Sequence, residues 1–183
     1  MSVPNAISYV ELRSFAQLDE LSDSSLEAIS EVLLPMYFEK GTTFHRMGNQ
    51  ENHLFFIKVG KVAVHTLIED EEELITELHQ FQIFGHRSLF RQSSKNISYS
   101  TLEDTLLYAL PSQLHQWALE RGTPWAIEMQ KSLVIQVVHR MRDSLVHIKQ
   151  HVGQEKSTRK ELFGLLHQTN FSLPTDNEDE DSI

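Results

Sequence analysis

The chain contains no cysteine. This removes disulfides, thiolate metal sites, iron–sulfur clusters and cysteine nucleophiles from consideration, and it fits a reducing compartment. No apolar run approaches the length of a membrane span, and residues 1–10 lack the basic and apolar regions of a signal peptide. A soluble, cytoplasmic protein with no membrane partner is the expectation. A basic excess is missing as well: 16 Lys and Arg stand against 26 Asp and Glu, a net charge of −10. That balance argues against a protein that coats nucleic acid. No His-x-His occurs among the ten histidines, so the ligand cluster of a small-barrel metalloenzyme is absent. Neither a nucleophile–base constellation nor a nucleotide-hydrolysing loop is found. The expectation is a non-enzyme without a metal site.

What is present is an ordinary globular balance, 40% apolar and 23% charged over 183 residues. That length accommodates one domain with a proper core plus an appendage. Residues 10 to 34 read as helical, with N-cap candidates between Asp19 and Ser25 and apolar positions Leu26, Ile29, Val32 and Leu33, ended by Pro35. From residue 36 to 110 the pattern changes to short strands, predicted at 36–38, 42–45, 53–58, 61–67, 74–78, 97–102 and 105–110. Turn residues Gly41, Gly48-Asn49 and Gly60 fall between them. Such spacing points to a barrel or jelly roll rather than a parallel sheet. The five consecutive carboxylates from Glu69 to Glu73 read as a solvated hairpin tip. A short helix is expected at 112–120, with Leu114, Trp117 and Ala118 as its apolar contacts.

Thr123-Pro124 then opens a long helix, a hydroxyl cap followed by proline at the first helical position. Along it Val134, Val138, Met141, Leu145, Ile148 and Val152 step by 4, 3, 4, 3, 4. That is a heptad seam and points to a homodimer. A second stripe, Met129, Leu133 and Val137, is placed to face the chain's own barrel. His147 and His151, one helical turn apart with Asp143 a turn earlier, read as surface residues rather than metal ligands. A short amphipathic helix follows, with Leu162, Phe163, Leu165 and Leu166 as its apolar residues, and an acidic tail expected to be disordered ends the sequence. The expected division is 1–123, 124–152, 153–171 and 172–183.

Phe84-Gly85-His86-Arg87-Ser88-Leu89-Phe90, followed by Lys95-Asn96-Ile97, resembles the phosphate-binding cassette of cyclic nucleotide-binding domains. Lys40-Gly41-Thr42, the turn at Gly48, the run Leu54 to Val64 and Leu102-Glu103-Asp104-Thr105 match the same family in the same order, over approximately residues 10–150. The resemblance implies a mainly β fold, a double-stranded β-helix or jelly-roll-like β-roll, with flanking helices and a long C-terminal dimerisation helix. It implies a ligand site at Gly85, His86, Ser88, Lys95 and Asn96. Gly85 would let a phosphate approach the backbone. Ser88 would turn its amide to that phosphate, and Lys95 would supply the cation where the family has arginine, as a point charge without the bidentate fork. His86 stands where the family has a glutamate that accepts from the ribose. Only about thirty residues follow residue 152, too few for the three-helix DNA-binding module of catabolite-activator relatives. The expectation is therefore a stand-alone regulatory domain, a dimer acting on a separate protein partner with lost or altered ligand specificity. Two alternatives stay open: a sensor of cyclic AMP, cyclic GMP or another phosphorylated ligand and, with less weight, a DNA-associated transcriptional regulator.

Overall fold

The structure, a computed structural model, describes residues 7–69, 71–90, 96–139 and 142. Its strands are β1 (Leu34–Phe38), β2 (Thr43–His45), β3 (His53–Val59), β4 (Val62–Ile68), β5 (Glu71–Leu78), β6 (Ile83–Phe84), β7 (Ile97–Thr101) and β8 (Thr105–Pro111). The helices are α1 (Tyr9–Leu12), α2 (Asp23–Val32), α3 (Arg87–Phe90), α4 (Ser112–Glu120) and α5 (124–139).

The strand β3 shows why the chain folds in layers. Its residues Leu54, Phe55, Phe56 and Ile57 are all buried. Successive side chains on a strand point to opposite faces, so an uninterrupted apolar run requires cover on both sides. Leu54 and Phe56 join a cluster with the N-terminal helices and α5, whereas Phe55 and Ile57 face residues of the second sheet. β8 repeats the pattern, with Tyr108 and Leu110 on one side and Leu107 and Ala109 on the other. The first sheet runs β1-β8-β3-β6 and the second β2-β7-β4-β5, with every pairing antiparallel. The protein is thus mainly β, two four-stranded sheets with flanking helices. Register shifts at Thr43/His45, Ile57/Val59 and Val64/His65 bend the strands where the roll curves.

The outer cluster is built by Ile7, Leu12, Phe15, Leu18, Leu21, Leu26, Ile29 and Leu33, with Trp125, Ala126, Met129 and Leu133 from α5. The helical stretch expected over 10–34 consists of α1, a 3-10 turn at Ala16–Leu18, and α2. Ser8 and Ser22 each accept a backbone N–H at the start of a helix, so each cap begins its own helix. The helix ends at Val32, before Pro35, and Pro35 lies inside β1. β1 is an edge strand, where a missing N–H is tolerated. β6 was not expected; at two residues it is too short to show alternation. Glu71, Glu72 and Glu73 belong to β5 rather than to the hairpin tip, and Glu72 accepts a hydrogen bond from Ser98. Trp117 is 52% exposed, with Arg121 lying over its ring at 4.1 Å, so it is not the apolar contact expected of it.

Residues up to Gln136 form one compact unit and those from Val137 another. Met141, Leu145, Ile148 and Val152 of the heptad seam, the His147/His151 pair, the 153–171 helix and the acidic tail lie outside the described residues. Among the described residues no helix is long and apolar enough to cross a membrane.

Candidate functional site at the Gly85 turn

β6 carries Phe84 into the space between the sheets and delivers the chain to Gly85, which adopts a positive φ of 84°. This backbone favours glycine, and the packing requires one as well. A Cβ at this position would lie 2.6 Å from the His53 carbonyl oxygen and 3.1 Å from a carboxylate oxygen of Glu51. Immediately afterwards the chain turns into α3, with the Ser88 and Leu89 N–H groups donating to the carbonyls of Gly85 and His86. The Ser88 side chain is buried, and its hydroxyl donates to the Gly85 carbonyl at 2.8 Å. This bond ties the turn together.

Of the expected ligand residues, the structure brings Gly85, His86 and Ser88 into this one turn. Asn96 is exposed just before β7, and its carbonyl accepts from the Thr66 hydroxyl at 2.6 Å. Lys95 lies outside the described residues.

Glu51, which carries no motif, is the group the sequence reading missed. It follows the Gly48 turn and is 2% exposed. The Tyr99 hydroxyl donates to its Oε1 at 2.7 Å. Burial, followed by the charge of Glu51 and this hydrogen bond, raises the Tyr99 phenol well above its ordinary value, and Arg87 opposes the shift. Tyr99 therefore stays a protonated donor at any physiological pH. Burial also lowers His53, against an opposing pull from Glu51. The signal available in the sequence was a carboxylate placed three residues before the apolar run Leu54–Ile57 of β3.

Aromatic rings fill the space between the sheets next to Gly85. Phe84 and Phe55 stack at 5.0 Å, Tyr99 meets Phe84 edge-on at 4.9 Å, and Phe44 stacks on Phe38 at 4.7 Å. Phe44 also contacts Phe55 at 5.7 Å and Tyr99 at 5.9 Å. Offset and edge-to-face contacts at these separations are those of a packed core. Two cavities open elsewhere. One of about 260 Å³ lies among Ser88, Leu89, Phe90, Ser112, Gln116, Leu119 and Gln130. The other, of about 370 Å³, lies among Thr43, Arg46, Met47, Leu67, Glu72 and Ser98. Neither is lined by Gly85, Tyr99 or a ring of the aromatic cluster. Among the described residues no group of three or more His, Asp or Glu is placed to hold a metal.

Two antiparallel sheets forming a β-roll, with a glycine turn and a short helix between β6 and β7, define the class of fold. The family model described as "Cyclic nucleotide-binding domain" matches residues 35–121, from β1 through α4. No curated protein matches the chain in sequence. Among solved structures, the catabolite activator protein of Thermus thermophilus is similar at TM-score 0.66 and 20% identity, covering 84% of this chain and 71% of that one. The N-terminal domain of a transcriptional regulator from Streptomyces coelicolor A3(2) gives TM-score 0.60 and 22% identity, covering 73% and 94%. The regulatory subunit of a cAMP-independent protein kinase A from Trypanosoma brucei, as a mutant bound to cAMP in its A site, gives 0.59 and 18%, covering 73% and 46%. At these identities the likeness is one of fold.

Proposed function

We propose that the chain is a regulatory module of cyclic nucleotide-binding type that acts as a homodimer on a separate protein partner, with a roll closed to cyclic nucleotides by its own side chains. The observation that carries this reading is the aromatic cluster. A nucleotide anchored at Gly85 must lay its base and ribose between the sheets, where Phe38, Phe44, Phe55, Phe84 and Tyr99 already pack. Opening that space would break several aromatic contacts, each contributing on the order of 0.5–1.5 kcal/mol beyond its burial. The protein kinase A of Trypanosoma brucei whose regulatory subunit shares this fold is described as cAMP-independent, which supports a regulatory role for such a roll without cyclic nucleotide. The homodimer is supported by Val134 and Val138, the first two seam positions, which are 43% and 58% exposed on α5. Paired apolar stripes of this kind gain by covering one another. Non-enzymatic action is part of the same reading, since regulation requires only binding.

Calorimetry tests the closed roll. Neither cyclic AMP nor cyclic GMP at millimolar concentration should give binding heat or raise the melting temperature, as any ligand selective for the folded state must. Saturable binding of either nucleotide would replace this reading with that of a sensor.

A further inference from the structure

We propose that the outer face of the second sheet carries a separate site for a small zwitterion, whose carboxylate meets Arg46 and whose ammonium group meets Glu72. The site is the cavity of about 370 Å³ among Thr43, Arg46, Met47, Leu67, Glu72 and Ser98. None of these residues belongs to the Gly85 turn. The inference goes beyond the closed-roll reading, because a domain shut to cyclic nucleotides keeps an input on its other side.

The strands decide which side chains reach this face. Side chains alternate along a strand, and Val62, Val64, Ile97 and Tyr99 face the core between the sheets. Leu67 and Ser98 therefore point outward. Glu72 lies directly opposite Leu67 and shares its face, whereas Glu71 and Glu73 take the other. Thr43, opposite Ser100, joins the outward set. Beyond β2 a turn places Arg46: the Asn49 N–H donates to the Arg46 carbonyl at 3.2 Å, and Gly48 takes a φ of 82°. Arg46 and Glu72 thus line one cavity with opposite charges, yet they are not joined. Among the described residues the ion pairs are Arg13–Asp23 and Lys58–Glu11. The Ser98 hydroxyl, on a residue 4% exposed, donates to Glu72 Oε1 at 2.5 Å, which holds the carboxylate and leaves Oε2 for a ligand. A guanidinium grips a carboxylate through two parallel N–H donors, and a carboxylate accepts from an ammonium group. A singly charged ligand satisfies one wall of the cavity, and a zwitterion satisfies both. Met47 and Leu67 offer apolar contact to the ligand's body. Arg46 and Glu72 are both exposed, so a ligand reaches them from solvent without parting the sheets.

The test is calorimetry on the full chain with L-leucine and 6-aminohexanoate as probes, zwitterions of short and long charge separation. The N-acetyl derivative and the methyl ester of each probe, which lack one charge apiece, are the controls. Wild type is expected to bind at least one zwitterion ten-fold or more tightly than either of its controls. Arg46→Gln should weaken that binding at least ten-fold while leaving the methyl ester unaffected. Glu72→Gln, which keeps an acceptor for Ser98, should weaken it likewise while leaving the N-acetyl derivative unaffected. Absence of heat from both zwitterions at millimolar concentration overturns the proposal. So does binding that either control equals, since one charge then suffices, and so does binding that Arg46→Gln leaves intact, since the site then lies elsewhere. If circular dichroism shows that Glu72→Gln does not fold, Arg46→Gln at its exposed turn decides alone.

Discussion

At the residue scale the site depends on two close approaches. Gly85 combines a left-handed backbone with an acceptor 2.6 Å from its absent Cβ. Gly85→Ala must pay about 1–2 kcal/mol for the backbone alone and then displace the His53 carbonyl or Glu51. A total loss of about 2 kcal/mol or more is expected in urea denaturation. A loss under about 0.5 kcal/mol would show that the turn relaxes freely. Tyr99→Phe removes a hydrogen bond to a buried carboxylate and should cost roughly 1.5–3 kcal/mol. A double-mutant cycle with Glu51→Gln should recover much of that cost as coupling, because the two groups act on each other. Neither position was legible in the sequence as a site. Glu51 and Tyr99 are 48 residues apart, and only pairing across the roll brings them together.

Helices meet the roll at the scale of elements, and two side chains there carry measurable consequences. His115 on α4 is fully buried, with its Nε2 at 3.3 Å from the Ala126 carbonyl and its ring edge-on to Trp125. Burial holds it below its ordinary value, opposed by the hydrogen bond to Ala126. The unfolded chain therefore takes up the proton first as the pH falls. Stability from this group is complete above about pH 6.5 and declines as the pH drops toward the folded value. His53 acts in the same direction. Melting temperature should fall between about pH 7.5 and pH 5.5, and His115→Phe should fall less; an equal fall would assign the effect to other groups. Ser22 caps α2 and also donates to the Glu128 carboxylate of α5. Ser22→Ala should cost about 1–2 kcal/mol by denaturant titration. The cap was legible as one of several hydroxyls and carboxylates between Asp19 and Ser25. Which one served depended on where the helix met α5.

For the whole molecule, the homodimer proposal draws on Val134 and Val138, which are 43% and 58% exposed on α5. Val138→Glu places a charge in the predicted seam, and light scattering at tens of micromolar should then show a monomer mass where wild type shows a dimer. A wild-type monomer at that concentration would end the homodimer proposal. The cost of a buried unpaired charge is several kcal/mol, enough to dissociate an interface of modest size.

The sequence by itself determined the class of fold. The strand spacing from 36 to 110, the apolar runs of β3 and β8 and the glycine turn at Gly85 are local patterns, and local patterns survive in one dimension. The stripe Met129 and Leu133 was likewise readable, and both residues are fully buried in the core. Val137, the third member, is 37% exposed, because a helical period says which residues share a face but not how far the cover extends. The tertiary structure alone decided the character of the site. Whether the space between two sheets is a pocket or a packed core depends on which rings meet across it. Phe38, Phe44, Phe55, Phe84 and Tyr99 come from five different strands. Whether a turn requires glycine for space depends on its neighbours, and here those are a carbonyl and a carboxylate from more than thirty residues upstream.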